Sequence, residues 1–246
     1  MSRRRQGAAA VGAVLLLSAC GVLPPMPGPL PELPATAAPS PSVPTAARHL
    51  SPDGFDVAER ISVRVRSLGC FSLSTGSGFA VGPTTLVTNR HVVAEAAELA
   101  LSTYDGRELG VRAASVAQIA DLAVVRTDGD LPAVPELAAE DPVRGDTVTV
   151  VGYPQGGRLA ATTGRVIART TDPLNLHLGE VLVTDAAVEP GSSGSPVLDT
   201  DGRVVGVVYA LNDAGQSFVV PVSTLRELLE DDEAFTEIGR GQLVCD

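Results

Sequence analysis

Lysine and tryptophan are absent from this 246-residue chain, and cysteine, histidine and aromatic residues are scarce: three Cys, three His, five Phe and three Tyr. All 18 cations are therefore arginines, a bias of the kind a GC-rich genome produces and not a functional signal. Against them stand 29 carboxylates, for a net charge of −11. With no basic stripe to meet phosphates, the composition argues against nucleic-acid binding; the excess negative charge favours solubility. The few His and Cys residues lie scattered, so no metal-ligand spacing exists. Long helical runs are also lacking, whereas Gly and Pro are plentiful at 25 and 19, which points to many strands joined by tight turns. A hydrophobic content of 44% supplies a substantial core and excludes disorder for most of the chain.

The N-terminus has the three-part layout of a secretory signal: Arg3-Arg4-Arg5, an apolar run over residues 8–17, then Ser18-Ala19-Cys20. The apolar run is shorter than the ~20 residues a spanning helix needs. Leu17-Ser18-Ala19-Cys20 resembles the lipobox of bacterial lipoproteins, which implies removal of residues 1–19, lipidation of Cys20 and anchoring to the outer face of the cytoplasmic membrane. An ordinary cleaved signal and an uncleaved anchor are the alternatives. Residues 20–54 are expected to form a tether, since ten prolines fall between Gly21 and Gly54. At ~3 Å per residue such a stretch reaches roughly 100 Å. With Cys20 lipidated, Cys70 and Cys245 face an oxidising compartment and are expected to pair.

The folded domain is expected over residues 55–246. Short β-branched runs recur between turn signals at 61–65, 78–81, 85–88, 147–152, 164–168, 181–184, 204–209 and 218–220, with Asp201-Gly202 as a hairpin turn. This is an all-β pattern of sandwich or barrel type. Residues 131–142, rich in Pro, Ala and Glu, read as a crossing between two halves. Thr224 and Glu227 fit a capping box ahead of Leu225, Leu228 and Leu229, predicting a C-terminal helix. No further binding domain is expected after it.

Three segments carry chemistry. Thr88-Asn89-Arg90-His91 places a histidine where a strand gives way to a helical turn. Asp121 stands before the apolar run Leu122-Ala123-Val124-Val125, thirty positions after His91. Pro190-Gly191-Ser192-Ser193-Gly194-Ser195-Pro196 is a Gly/Ser-rich turn able to point a hydroxyl outward while backbone N–H groups converge. Gly76-Ser77-Gly78-Phe79 and Leu86-Val87-Thr88-Asn89 lead into the histidine as they do in trypsin-like serine proteases. The stretch from Thr184 to Pro196 resembles the nucleophile loop T-D-A-A-x-x-P-G-x-S-G-x-P of the HtrA-like branch, and the member expected is one without a PDZ domain.

That resemblance, covering roughly residues 70–230, implies two six-stranded antiparallel β-barrels, at about 55–135 and 143–222, with the C-terminal helix behind them. It implies His91 as base, Asp121 as its orienting carboxylate, Ser193 as nucleophile, and the N–H groups of Gly191 and Ser193 as oxyanion donors. Ser195 replaces the Gly usual at its position. Neither metal nor organic cofactor is implied. In these proteases the residue six before the nucleophile lies at the base of the pocket for the residue preceding the cut; here it is the uncharged Ala187. With Phe218 limiting its depth, small aliphatic side chains are expected to fit. His49 and His177 are left outside the mechanism. The function so implied is an extracytoplasmic serine endopeptidase acting on polypeptides; the competing reading is an inactive barrel pair serving as a binding scaffold at the cell envelope. An esterase of the α/β-hydrolase type would need a parallel-sheet pattern that the chain lacks.

Overall fold

The computed structural model of the chain describes residues 55–238 apart from positions 118, 175 and 232. Cys20, Cys245, the signal segment and the tether lie outside the described residues.

A short helix α1 (Val57–Ile61) opens the domain, closed by a capping box in which Asp56 and Glu59 each accept the other's backbone N–H at 2.9 Å. It leads into β1 (Ser62–Leu68), whose alternation buries Val63 and Val65 and turns Arg64 and Arg66 outward. There follow β2 (Leu73–Gly82), β3 (Thr85–Thr88), helix α2 (Arg90–Val93), β4 (Glu98–Thr103), β5 (Glu108–Leu109), β6 (Val111–Ala117) and β7 (Ala123–Thr127). With the late strand β14 (Phe235–Glu237) these make one curled antiparallel sheet in the order β14-β6-β7-β3-β2-β1-β4-β5. The six strands of the expected first barrel are all present, and β5 and β14 are short additions at the two edges. Val63, Val65, Ala80, Leu86, Leu101 and Val125 fill its inside.

The second half is a closed barrel, β10-β13-β12-β11-β8-β9. Its strands are β8 (Thr147–Gly152), β9 (Ala160–Thr171), β10 (Glu180–Thr184), β11 (Pro196–Leu198), β12 (Val204–Leu211) and β13 (Ser217–Pro221). Asp201-Gly202 turns β11 into β12 as expected, Gly202 taking φ +83°. The run Val204-Val205-Gly206-Val207-Val208-Tyr209 is buried on both faces. One face, with Val205 and Val208, lines the barrel interior beside Val148, Val150 and Val197. The other joins a separate cluster in which Val204, Val207, Tyr209, Val220 and Leu225 meet Phe79, Val87 and Leu122 of the first half. That shared cluster fastens the two halves.

The crossing has no helix of its own; it is tied to β12 by Ala138 N–H donating to Val204 O and Val204 N–H to Glu136 O, both at 2.8 Å. The C-terminal helix α3 (Val222–Glu230) buries Val222, Leu225 and Leu228, and it corrects the expected start. It begins two residues before Thr224, so the Thr224/Glu227 capping box does not form. Pro221 at φ −63° needs no N–H partner, and Asp141 accepts from both Ser223 N–H (2.9 Å) and Ser223 Oγ (2.8 Å). A carboxylate from the crossing thus caps a helix that follows β13 without a loop.

Candidate active site

Pairing of β3 with β7 sets Thr88 opposite Ala123, which brings the residues just beyond them, on α2 and before β7, side by side. Asp121 then holds the histidine turn at four points. Its carbonyl accepts from Asn89 Nδ2 (2.8 Å) and Arg90 N–H (3.2 Å), its Oδ1 from His91 N–H (3.0 Å), and its Oδ2 lies 2.5 Å from His91 Nδ1. The carboxylate is 8% exposed and the imidazole 47%. A buried carboxylate on Nδ1 fixes the tautomer that carries its proton there and leaves Nε2, on the solvent side, as the acceptor.

The turn between β10 and β11 is built by two short-range bonds, Ser192 N–H to Glu189 O (2.9 Å) and Ser195 N–H to Ser192 O (3.0 Å), and tied to β12 by Gly194 N–H to Val208 O (2.8 Å). Gly191 and Gly194 adopt φ +97° and +84°. A Cβ on Gly194 would lie 2.1 Å from Ser77 O, and one on Gly191 would lie 2.6 Å from Gln155 N. Both positions require glycine on conformation and on space. Of the three serines in the turn, Ser192 and Ser195 are buried and only Ser193 reaches the surface. The N–H groups of Gly191 and Ser193 donate to no protein acceptor among the described residues.

Ser77 joins this turn to the first half, a role not anticipated from sequence. Its N–H donates to Ser193 O (2.7 Å), its hydroxyl donates to Gly191 O (2.8 Å) and accepts from Tyr153 N–H (2.9 Å), and its carbonyl accepts from Thr88 Oγ1 (2.7 Å). Gly76 beside it is sandwiched between Val92 of α2 and Ser193 O. The Ser193 turn and the His91 turn are therefore packed against the same two residues. Among the described residues no hydrogen bond joins Ser193 Oγ to His91; in ligand-free sites such bonds are commonly long and tighten around substrate.

Ala187 is exposed and lines a cavity of about 100 Å³ with Val150, Gly152, Ala160, Glu189 and Ser192. Phe218 does not line it; it packs at 6.4 Å, ring to ring, on Tyr209. His177, set aside in the sequence reading, lies on a second cavity together with His91 and Asp121. The signal for its placement is Asp172, whose buried carboxylate gathers Leu174 N–H, Leu176 N–H and Tyr209 Oη and so folds the loop toward the site. Burial, reinforced by that carboxylate, pushes the Tyr209 phenol well above its ordinary pKa. No three His, Cys, Asp or Glu side chains cluster as metal ligands among the described residues.

Two curled antiparallel sheets with a histidine–carboxylate pair on one and a glycine-braced serine turn on the other define the trypsin-like class. Residues 76–207 match the trypsin-like peptidase domain, and the chain belongs to that family. It is 32% identical over 177 residues to a probable periplasmic serine endoprotease DegP-like of Hahella chejuensis, covering 69% of this chain and 38% of that protein. It is 32% identical over 194 residues to serine protease Rv3671c of Mycobacterium tuberculosis, covering 74% and 48%. The chain thus spans less than half the length of these curated relatives. The crystal structure of the active form of the Rv3671c protease superposes with a TM-score of 0.68 at 28% identity, covering 89% of this chain and all of that one.

Proposed function

We propose that this chain is an extracytoplasmic serine endopeptidase whose nucleophile, base and orienting carboxylate are Ser193, His91 and Asp121. The observation that carries the reading is the 2.5 Å contact of His91 Nδ1 with the buried Asp121 carboxylate, packed against the turn from which Ser193 alone emerges. In the reaction, Ser193 Oγ attacks the scissile carbonyl carbon as His91 Nε2 takes its proton. The oxyanion is met by the N–H groups of Gly191 and Ser193, and Asp121 stabilises the imidazolium. Collapse breaks the C–N bond, the amine leaving with the proton from Nε2. Water then repeats the sequence on the acyl-enzyme, releasing the acid and restoring Ser193.

The location is supported by the secretory layout of the N-terminus and by the periplasmic naming of several relatives. The finer reading is a lipoprotein anchored through Cys20. A pairing of Cys70 with Cys245 is supported by the disulfide that the structure gives Cys70. For the residue preceding the cut we expect small aliphatic side chains, because Ala187 offers no charge and a buried cation there would lack a partner.

An active-site fluorophosphonate tests the assignment: it is expected to add one adduct, on Ser193, and none to Ser193→Ala. Peptide hydrolysis by Ser193→Ala or His91→Ala is expected to fall to the residual that binding and the oxyanion donors supply, roughly 10³–10⁴ over water. Folded wild-type protein that takes no label and cuts no peptide would refute the reading.

A further inference from the structure

The wall of the cleft beside His91 carries an arginine, Arg90, that no carboxylate among the described residues pairs with. A cavity of about 340 Å³ opens against the His91–Asp121 pair, with Ala94, Ile119, Ala120 and Leu176 as its apolar lining and Arg90 and His177 as its remaining polar groups. Asp121 is engaged with His91. Neither the Arg90 guanidinium nor the His177 ring has a hydrogen-bond or ion-pair partner among the described residues. Both side chains are exposed, so their donors stand free at the cavity rim, where a ligand carboxylate could meet them. His177 is also one of only two non-glycine residues at positive φ among the described residues, +62°, a conformation that persists where the surroundings enforce it. Enforcement comes from beneath, through the buried Asp172 and its bonds to Leu174 N–H (3.0 Å), Leu176 N–H (2.6 Å) and Tyr209 Oη (2.8 Å).

We infer that Arg90 and His177 form a carboxylate-reading subsite, selecting polypeptides that carry Glu or Asp at a position flanking the cut and distinct from the residue whose carbonyl is attacked. This rests on the endopeptidase reading above. A guanidinium fork matches a carboxylate with two parallel N–H bonds, and the imidazole adds an N–H donor in either charge state. The methylenes of a glutamate lie along Ile119 and Leu176 while its head meets Arg90 and His177 at the rim. Because the rim is solvated, the subsite tunes selection and does not dominate affinity.

Peptide pairs identical except for Glu or Gln, scanned through each position around the scissile bond, test this by hydrolysis with the wild-type protein and by binding to Ser193→Ala. At one position Glu is expected to exceed Gln by about three- to tenfold in kcat/KM and in affinity, less at high salt. The ratio is expected to fall to about one in Arg90→Gln/His177→Gln and to recover in part in Arg90→Lys/His177→Gln. Equal treatment of Glu and Gln at every position, or a preference undiminished in the double glutamine variant, would overturn the inference. Binding to Ser193→Ala needs no chemistry, so a Glu preference there with no hydrolysis by the wild type would uphold the subsite and sink the endopeptidase reading alone.

Discussion

Ser195 is fully buried with its hydroxyl unpartnered, and it is packed so closely on Gly152 that a Cβ there would lie 1.9 Å from Ser195 Oγ. The Gly-to-Ser departure is thus accommodated by a glycine on β8, not by a hydrogen bond. Ser195→Ala removes an unsatisfied polar atom and is expected to leave peptidase activity intact while holding or raising stability, by up to about 1–2 kcal/mol. An inactive but folded Ser195→Ala would count against Ser193 as nucleophile. Tyrosine titration is a second residue-scale test. Burial raises the Tyr153 phenol to about 12 and moves Tyr209 in the same direction. Their neutral forms are favoured in the folded state, so the stability they confer is intact below the unfolded value of about 10 and is lost as pH climbs toward the folded value. Native protein at about pH 10 should therefore show much less phenolate absorbance at 295 nm than unfolded chain, and equal absorbance would refute the burial argument.

At the scale of elements, the loop over residues 172–177 depends on one carboxylate. Asp172→Ala leaves two backbone N–H groups and the Tyr209 hydroxyl without their acceptor and is expected to cost about 3–5 kcal/mol. Urea unfolding measures it, and a loss below about 1 kcal/mol would mean that the loop is held by something else. The elements the sequence made legible are those with β-branched runs, such as β3, β8, β12 and β13. Those it hid are poor in such residues: β4 and its approach read Ala94-Glu95-Ala96-Ala97-Glu98-Leu99-Ala100, and most of β6 is alanine or serine. There, pairing with β1 and β7 outweighs local preference. The helix start was misplaced for a similar reason, since its cap, Asp141, lies 82 residues away from Ser223. His91, Asp121 and Ser193 stand out as candidates in the sequence because each sits in a local motif. Ser77, Arg90 and His177 acquire their surroundings only through contacts distant in sequence.

For the whole molecule, a Cys70–Cys245 bridge would close nearly the entire domain in one covalent loop. Non-reducing peptide mapping is expected to find it, and Cys70→Ser/Cys245→Ser to lose about 2–5 kcal/mol; two freely alkylated thiols in native protein would end the claim. The position of Ser77 has a further bearing on how the molecule fails. The bonds that hold the two halves at this point are the same bonds that shape the serine turn: Ser77 to Ser193, to Gly191 and to Tyr153. Strain that parts the halves at this point would break the bonds that shape the turn. At this point adhesion and the shape of the proposed site share one set of atoms, so the site would act as a fuse, lost while each half is still folded.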